Sequence, residues 1–76
     1  MVIITYFKPN LLIQSDSLIS GHIEVYDKKN HHRLWSVKII QKDFVTIKVL
    51  PGWPGQIEVE VDTGRIKNKK EIYVGN

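Results

Sequence analysis

At 76 residues the chain has room for one hydrophobic core and no second, so residues 1–76 are read as a single domain. It has no cysteine, which excludes disulfides, thiolate nucleophiles and zinc–thiolate centres. Eleven basic against eight acidic residues leave a formal net charge of +3, a mild excess that admits an anionic partner without requiring one. The apolar run Val2 to Ile4 is too short for a signal or membrane segment.

Residues 1–7, MVIITYF, are rich in β-branched and aromatic side chains and predict a strand that stops before Pro9. Residues 10–17 hold the apolar run Leu11, Leu12, Ile13 and predict a short buried strand. In residues 18–27, Ile23 and Val25 alternate with His22, Glu24 and Tyr26, the two-residue period of a half-buried strand, with Gly21 at a bulge position. A polar turn, DKKNHH, follows. Residues 33–41 place Trp35, Val37 and Ile39 on one face and Ser36 and Lys38 on the other.

The stretch DFVTIKVLPGWPGQIEVEVD, residues 43–62, holds two further strands around a turn in which Pro51, Gly52, Pro54 and Gly55 reverse the chain. Val45, Ile47 and Val49 face one way in the first strand, and Ile57, Val59 and Val61 in the second. Thr63 and Gly64 turn the chain again, residues 65–70 are basic, and residues 71–74 close as a last strand. No segment keeps a 3.6-residue apolar period, so no substantial helix is expected. The sum is an all-β fold of six to seven short, mostly antiparallel strands, with Trp35, Val37, Ile47, Val59 and Ile72 in its core.

Few residues carry recognisable chemistry. Asp62-Thr63-Gly64 matches the aspartic-protease tripeptide, but only twelve residues follow it and Arg65 stands where a small residue is usual. A strand-ending turn is the better account. Glu58, Glu60 and Asp62 share one face about 6.5–7 Å apart, a spacing that suits paired-carboxylate hydrolysis only inside a cleft. His31 and His32 are adjacent in a polar turn and point apart, and His22 lies on an outer row, so no metal site is expected. No phosphate-cradling glycine loop or nucleophile elbow occurs. The chain is therefore read as non-enzymatic, without cofactor or metal.

Two surface features remain. Arg65, Lys67, Lys69 and Lys70 form a basic patch, to be read as a lysine-rich edge that blocks aggregation or, with Tyr26, Tyr73 and Trp53, as a stacking surface for single-stranded nucleic acid. Trp53 sits at the tip of the stiff PGWPG turn, where it either projects as an interaction anchor or folds back over the end of the core. The projecting arrangement is the expectation.

Three segments resemble the bacterial immunoglobulin-like repeat domains of surface proteins and adhesins. GHIEVYD, residues 21–27, is similar to their G-x-V-x-F-Y-D strand, and LWSV, residues 34–37, falls where the partner strand returns. FVTIKVLPG, residues 44–52, followed by GQIEVEV, residues 55–61, resembles A-T-L-T-L-x-L-P-A-G-x-Y-x-V-x-A. The resemblance implies a small Ig-like β-sandwich that acts as a non-catalytic spacer or adhesive module of a larger surface or extracellular assembly, with other protein domains as partners. It also implies that residues 44–50 and 56–62 lie in opposite sheets with PGWPG as the arch. A simple hairpin would instead put Lys48 across from Glu58. The alternative function is a small basic β-barrel that binds single-stranded nucleic acid.

Overall fold

The computed structural model describes residues 1–75. Its five strands, β1 (Val2–Phe7), β2 (Asn10–Asp27), β3 (Arg33–Lys48), β4 (Gln56–Asp62) and β5 (Lys67–Tyr73), belong to one antiparallel sheet. The chain is all-β, as the two-residue apolar period predicts.

Strand β2 organises the sheet. Along one edge it pairs with β1 over its first part (Tyr6 opposite Leu11, Val2 opposite Ser15) and with β4 over its last (His22 opposite Asp62, Asp27 opposite Ile57). Along the other edge it pairs with β3 from Asn10–Lys48 to Tyr26–Arg33. The β2–β3 register slips twice between Gln14 and Gly21. Gln41, on the opposite side of this irregularity, has a positive φ of 53° and donates its N–H to Ser20 Oγ at 3.0 Å. Bulges bend a strand and increase its twist, and here they curl the sheet so that its two halves face each other. Ile4, Leu11, Ile13 and Ile47 from one half meet Ile23, Val25, Ile57, Val59, Val61 and Ile72 from the other in a single buried cluster.

The curl corrects the expected architecture. Residues 10–17 and 18–27, read as separate strands, run on as β2, and residues 33–41 and the strand after Asp43 run on as β3. Five strands result, and two halves of one sheet stand where two separate sheets were expected. Residues 44–48 and β4 do lie in opposite halves without pairing, and Glu58 approaches His31 Nε2 at 3.5 Å rather than Lys48.

Ile47, Val59 and Ile72 are buried as expected, but Trp35 and Val37 are only half-buried. The reason is positional: among the described residues nothing pairs with β3 on its far side, which leaves Trp35 and Val37 partly open although Ile39 and Ile47 on the same row are buried. Trp53, expected to project, is 7 % exposed and part of the core. Its N–H donates to the Leu50 carbonyl at 3.1 Å, and Val74 N–H reaches the Gly55 carbonyl at 2.7 Å, which turns the PGWPG loop back over the end of the sheet.

The curl depends on Gly21. A Cβ there would run into the Asp62 carbonyl oxygen, backbone that no rotamer change can clear, and φ is +154°. Gly21→Ala is expected to lose about 2–3 kcal/mol, as overpacked sites do, and to lower Tm by about 10–20 °C. Gly52→Ala, with nothing within 4 Å of the added carbon, should leave Tm unchanged in the same calorimetric scan.

Candidate functional site

The basic residues singled out in the sequence do not assemble into one surface. Lys67 and Lys69 project from the outer face of β5 beside Glu60, Lys67 at 3.5 Å and Lys69 at 3.9 Å, and Lys67 also lies 3.9 Å from Asp62. Lys70 belongs to the other face of the strand, and its Nζ donates to the Ile4 carbonyl of β1 at 2.9 Å. Arg65 is exposed in the turn after β4. There Asp62 Oδ1 accepts the Gly64 N–H at 2.8 Å and Thr63 N–H donates to the Ile66 carbonyl at 3.0 Å, so Asp-Thr-Gly is a strand-ending turn. Of the aromatic residues, Trp53 is buried and Tyr26 is stacked on His31 with ring centroids 4.3 Å apart, while Tyr73 is exposed at the end of β5 on the face that carries Lys67 and Lys69.

The outer face of β2, β4 and β5 is internally neutralised. Glu24 accepts the Tyr26 hydroxyl at 2.9 Å and Arg33 Nη1 at 3.0 Å, which together hold its carboxyl below the usual glutamate range. The same hydrogen bond pushes the Tyr26 phenol up. Lys28 and Glu71 pair at 2.8 Å. Glu60, opposite both Glu24 and Lys69 in the sheet register, is 7 % exposed, and the two lysines are the cations beside it. Among the described residues no three His, Asp or Glu side chains converge as metal ligands do.

The two outer margins of the curled sheet differ. Where β1 approaches β5, the seam is bridged by Lys70 Nζ on the Ile4 carbonyl and by the Tyr6 hydroxyl on the Val74 carbonyl at 3.3 Å. The far edge of β3 has no such cover. Among the described residues this strand of 16 residues pairs with β2 alone. At its bend a groove of about 550 Å³ opens, bordered by Trp35, Val37, Ile39 and Val45 from the inner row and by Lys38 and Lys42. Ile40 and Phe44, 62 % and 50 % exposed, extend the apolar margin on the outer side. Among the described residues, neither Lys38 nor Lys42 has a carboxylate within 4 Å.

An unpaired strand edge presents a row of N–H and C=O groups able to bond another chain. Here that row lies beside half-covered aliphatic and indole surface. None of its residues stood out as a site in the sequence. Trp35 reads there as core because its parity is inward, and parity says nothing about whether a neighbouring strand completes the cover. The available signal was charge: β3 carries Arg33, Lys38, Lys42 and Lys48 against Asp43.

Lys67 and Lys69 lie on the last strand of the β1-β2-β4-β5 order, where an edge lysine would be, and also sit beside Glu60. Replacing Lys67 and Lys69 together by Ala should cost about 1 kcal/mol, an intermediate figure because the lysines are half-exposed while Glu60 is nearly covered. Adding Glu60→Gln to that variant should recover most of the loss. Urea midpoints across the cycle measure both steps, and an unchanged midpoint for the lysine pair would show that the Glu60 contacts carry no stability.

No family model matches the chain, and no curated protein or solved structure matches it either, so the immunoglobulin-like resemblance rests on its three short sequence motifs.

Proposed function

We propose that this chain is a non-catalytic interaction module that binds an extended segment of another protein along the free edge of β3. The observation that carries the reading is the 16-residue strand paired on one side only, with a groove lined by Trp35, Val37, Ile39 and Val45 beside it. Strand addition draws affinity from main-chain hydrogen bonds and selectivity from pockets that receive alternate side chains. Both elements are available at this edge. The reading keeps the role implied by the immunoglobulin-like resemblance, a structural or adhesive part of a larger assembly, and moves its contact surface from Trp53 to β3.

A catalytic reading has less support. The carboxylate row a hydrolase would use is already engaged, Glu58 by His31 and Glu60 and Asp62 by lysines. The nucleic-acid reading loses Lys67 and Lys69 to those carboxylates and Lys70 to a backbone carbonyl.

Amide hydrogen exchange tests the proposal directly. In the free protein, β3 amides directed away from β2 should exchange rapidly, while those bonded to β2 are protected. Short peptides that alternate valine with a polar residue should slow exchange at the outward β3 amides, leaving the Lys67–Tyr73 strand unaffected. If peptides of acidic, neutral and basic polar residues all leave those amides unprotected, strand addition at β3 is wrong.

A further inference from the structure

The chemistry of the β3 edge defines its partner more narrowly. Resting on the strand-addition reading above, we infer that the segment accepted by β3 is an acidic amphipathic strand, with aliphatic residues alternating with Asp or Glu.

The two rows of β3 give the two halves of this pattern. Residues on an added strand alternate between faces in step with the sheet. Those on the inner face meet Trp35, Val37 and Val45, partly buried side chains that border the groove beside the buried Ile39. Those on the outer face meet the row that includes Lys38, with Lys42 at the bend. Arg33 is already bonded to Glu24, whereas Lys38, Lys42 and Lys48 have no carboxylate within 4 Å among the described residues. Asp43 offers the edge one negative charge and pairs with neither neighbouring lysine within that distance. Opposite charges across adjacent strands attract and like charges repel, so the unpaired cations select carboxylates.

The molecule contains an internal precedent. On the other edge of β2, the neighbour of Ile23 and Val25 is β4, QIEVEVD, which turns Ile57, Val59 and Val61 to the core and Glu58, Glu60 and Asp62 outward. Its carboxylates meet lysines and histidine on flanking segments. An acidic alternating strand on β3 would repeat this arrangement on the opposite side of the same sheet.

A second copy of the chain fits less well. Two β3 edges joined about a two-fold axis would oppose one basic row to another. Single-stranded nucleic acid would satisfy the lysines, but it offers no main-chain N–H and C=O row to match the strand edge.

Three capped peptides test the assignment, EVEVEVE, KVKVKVK and TVTVTVT, with oligo-thymidylate as a fourth probe. Binding is read by outward β3 amide exchange and Trp35 fluorescence. The glutamate peptide should bind about ten-fold or more tightly than the lysine peptide at low salt, and the gap should narrow to about two- to three-fold at 0.5 M salt. Lys38→Glu combined with Lys42→Glu should invert the order. Both lysines are exposed, and unchanged exchange at Val25 and Val59 verifies that the variant is folded. Equal binding of all three peptides would refute the acidic preference and leave strand addition standing. Binding of none would refute both. Tighter binding of oligo-thymidylate than of the glutamate peptide, lost in the double variant, would make the edge a nucleic-acid surface. Protected outward β3 amides in the free protein, with a dimer in sedimentation, would make it a self-association surface.

Discussion

Strand β2 is 18 residues long and changes partners halfway, from β1 to β4 on one edge, while β3 follows it on the other. A straight strand of that length would give a flat sheet with one face left wet, and so small a chain has too little apolar surface to leave a face uncovered. The slips between Gln14 and Gly21 resolve this by bending the strand, and the missing side chain at Gly21 lets the end of β4 come against the bend. Because β3 is paired along both parts of β2, it must bend too, and Gln41 adopts the positive φ that this requires. The core, the closed seam and the open edge all follow from that fold.

Closure is asymmetric because β1 and β5 are brought together while the far edge of β3 meets no other strand among the described residues. Side chains seal the first margin by bonding backbone carbonyls, which is a way of covering an edge without adding a strand. At the second margin the lysines of β3 are a common deterrent to edge pairing. Lysine deters basic edges far more than acidic ones, so on the proposed reading the same residues would discourage indiscriminate association and admit an acidic strand.

The alternation of Ile23 with Val25, of Trp35 with Val37, and of Ile57, Val59 and Val61 made the strands and their inward faces legible. Where strands end was less so. The polar run QSDS, residues 14–17, interrupts the apolar pattern, yet the chain remains extended through the bulged region. The same holds across Gln41 to Asp43 in β3. Both breaks mark bends, which share the local sequence character of turns. Trp53 illustrates a different limit: a turn of two prolines and two glycines fixes stiffness, but the direction in which its tip leans is set by Gly55 and Val74 across the sheet. The placement of the basic residues was not legible because neighbours in sequence, Lys69 and Lys70, emerge on opposite faces of a strand that was not expected to begin before Glu71.

The connectivity also orders events in time. Three pairings join strands adjacent in the chain, β1 with β2, β2 with β3 and β4 with β5, and cost little loop-closure entropy. β2 with β4 spans a longer loop, and the Tyr6–Val74 and Lys70–Ile4 bonds join positions 68 and 66 residues apart. Contacts of such separation are expensive until intermediate pairings have shortened the effective loop. That separation favours closure of the seam after the hairpins are in place. The margin that is sealed in the folded molecule is thus the one that joins the most distant parts of the chain, whereas the open edge belongs to a hairpin of adjacent strands.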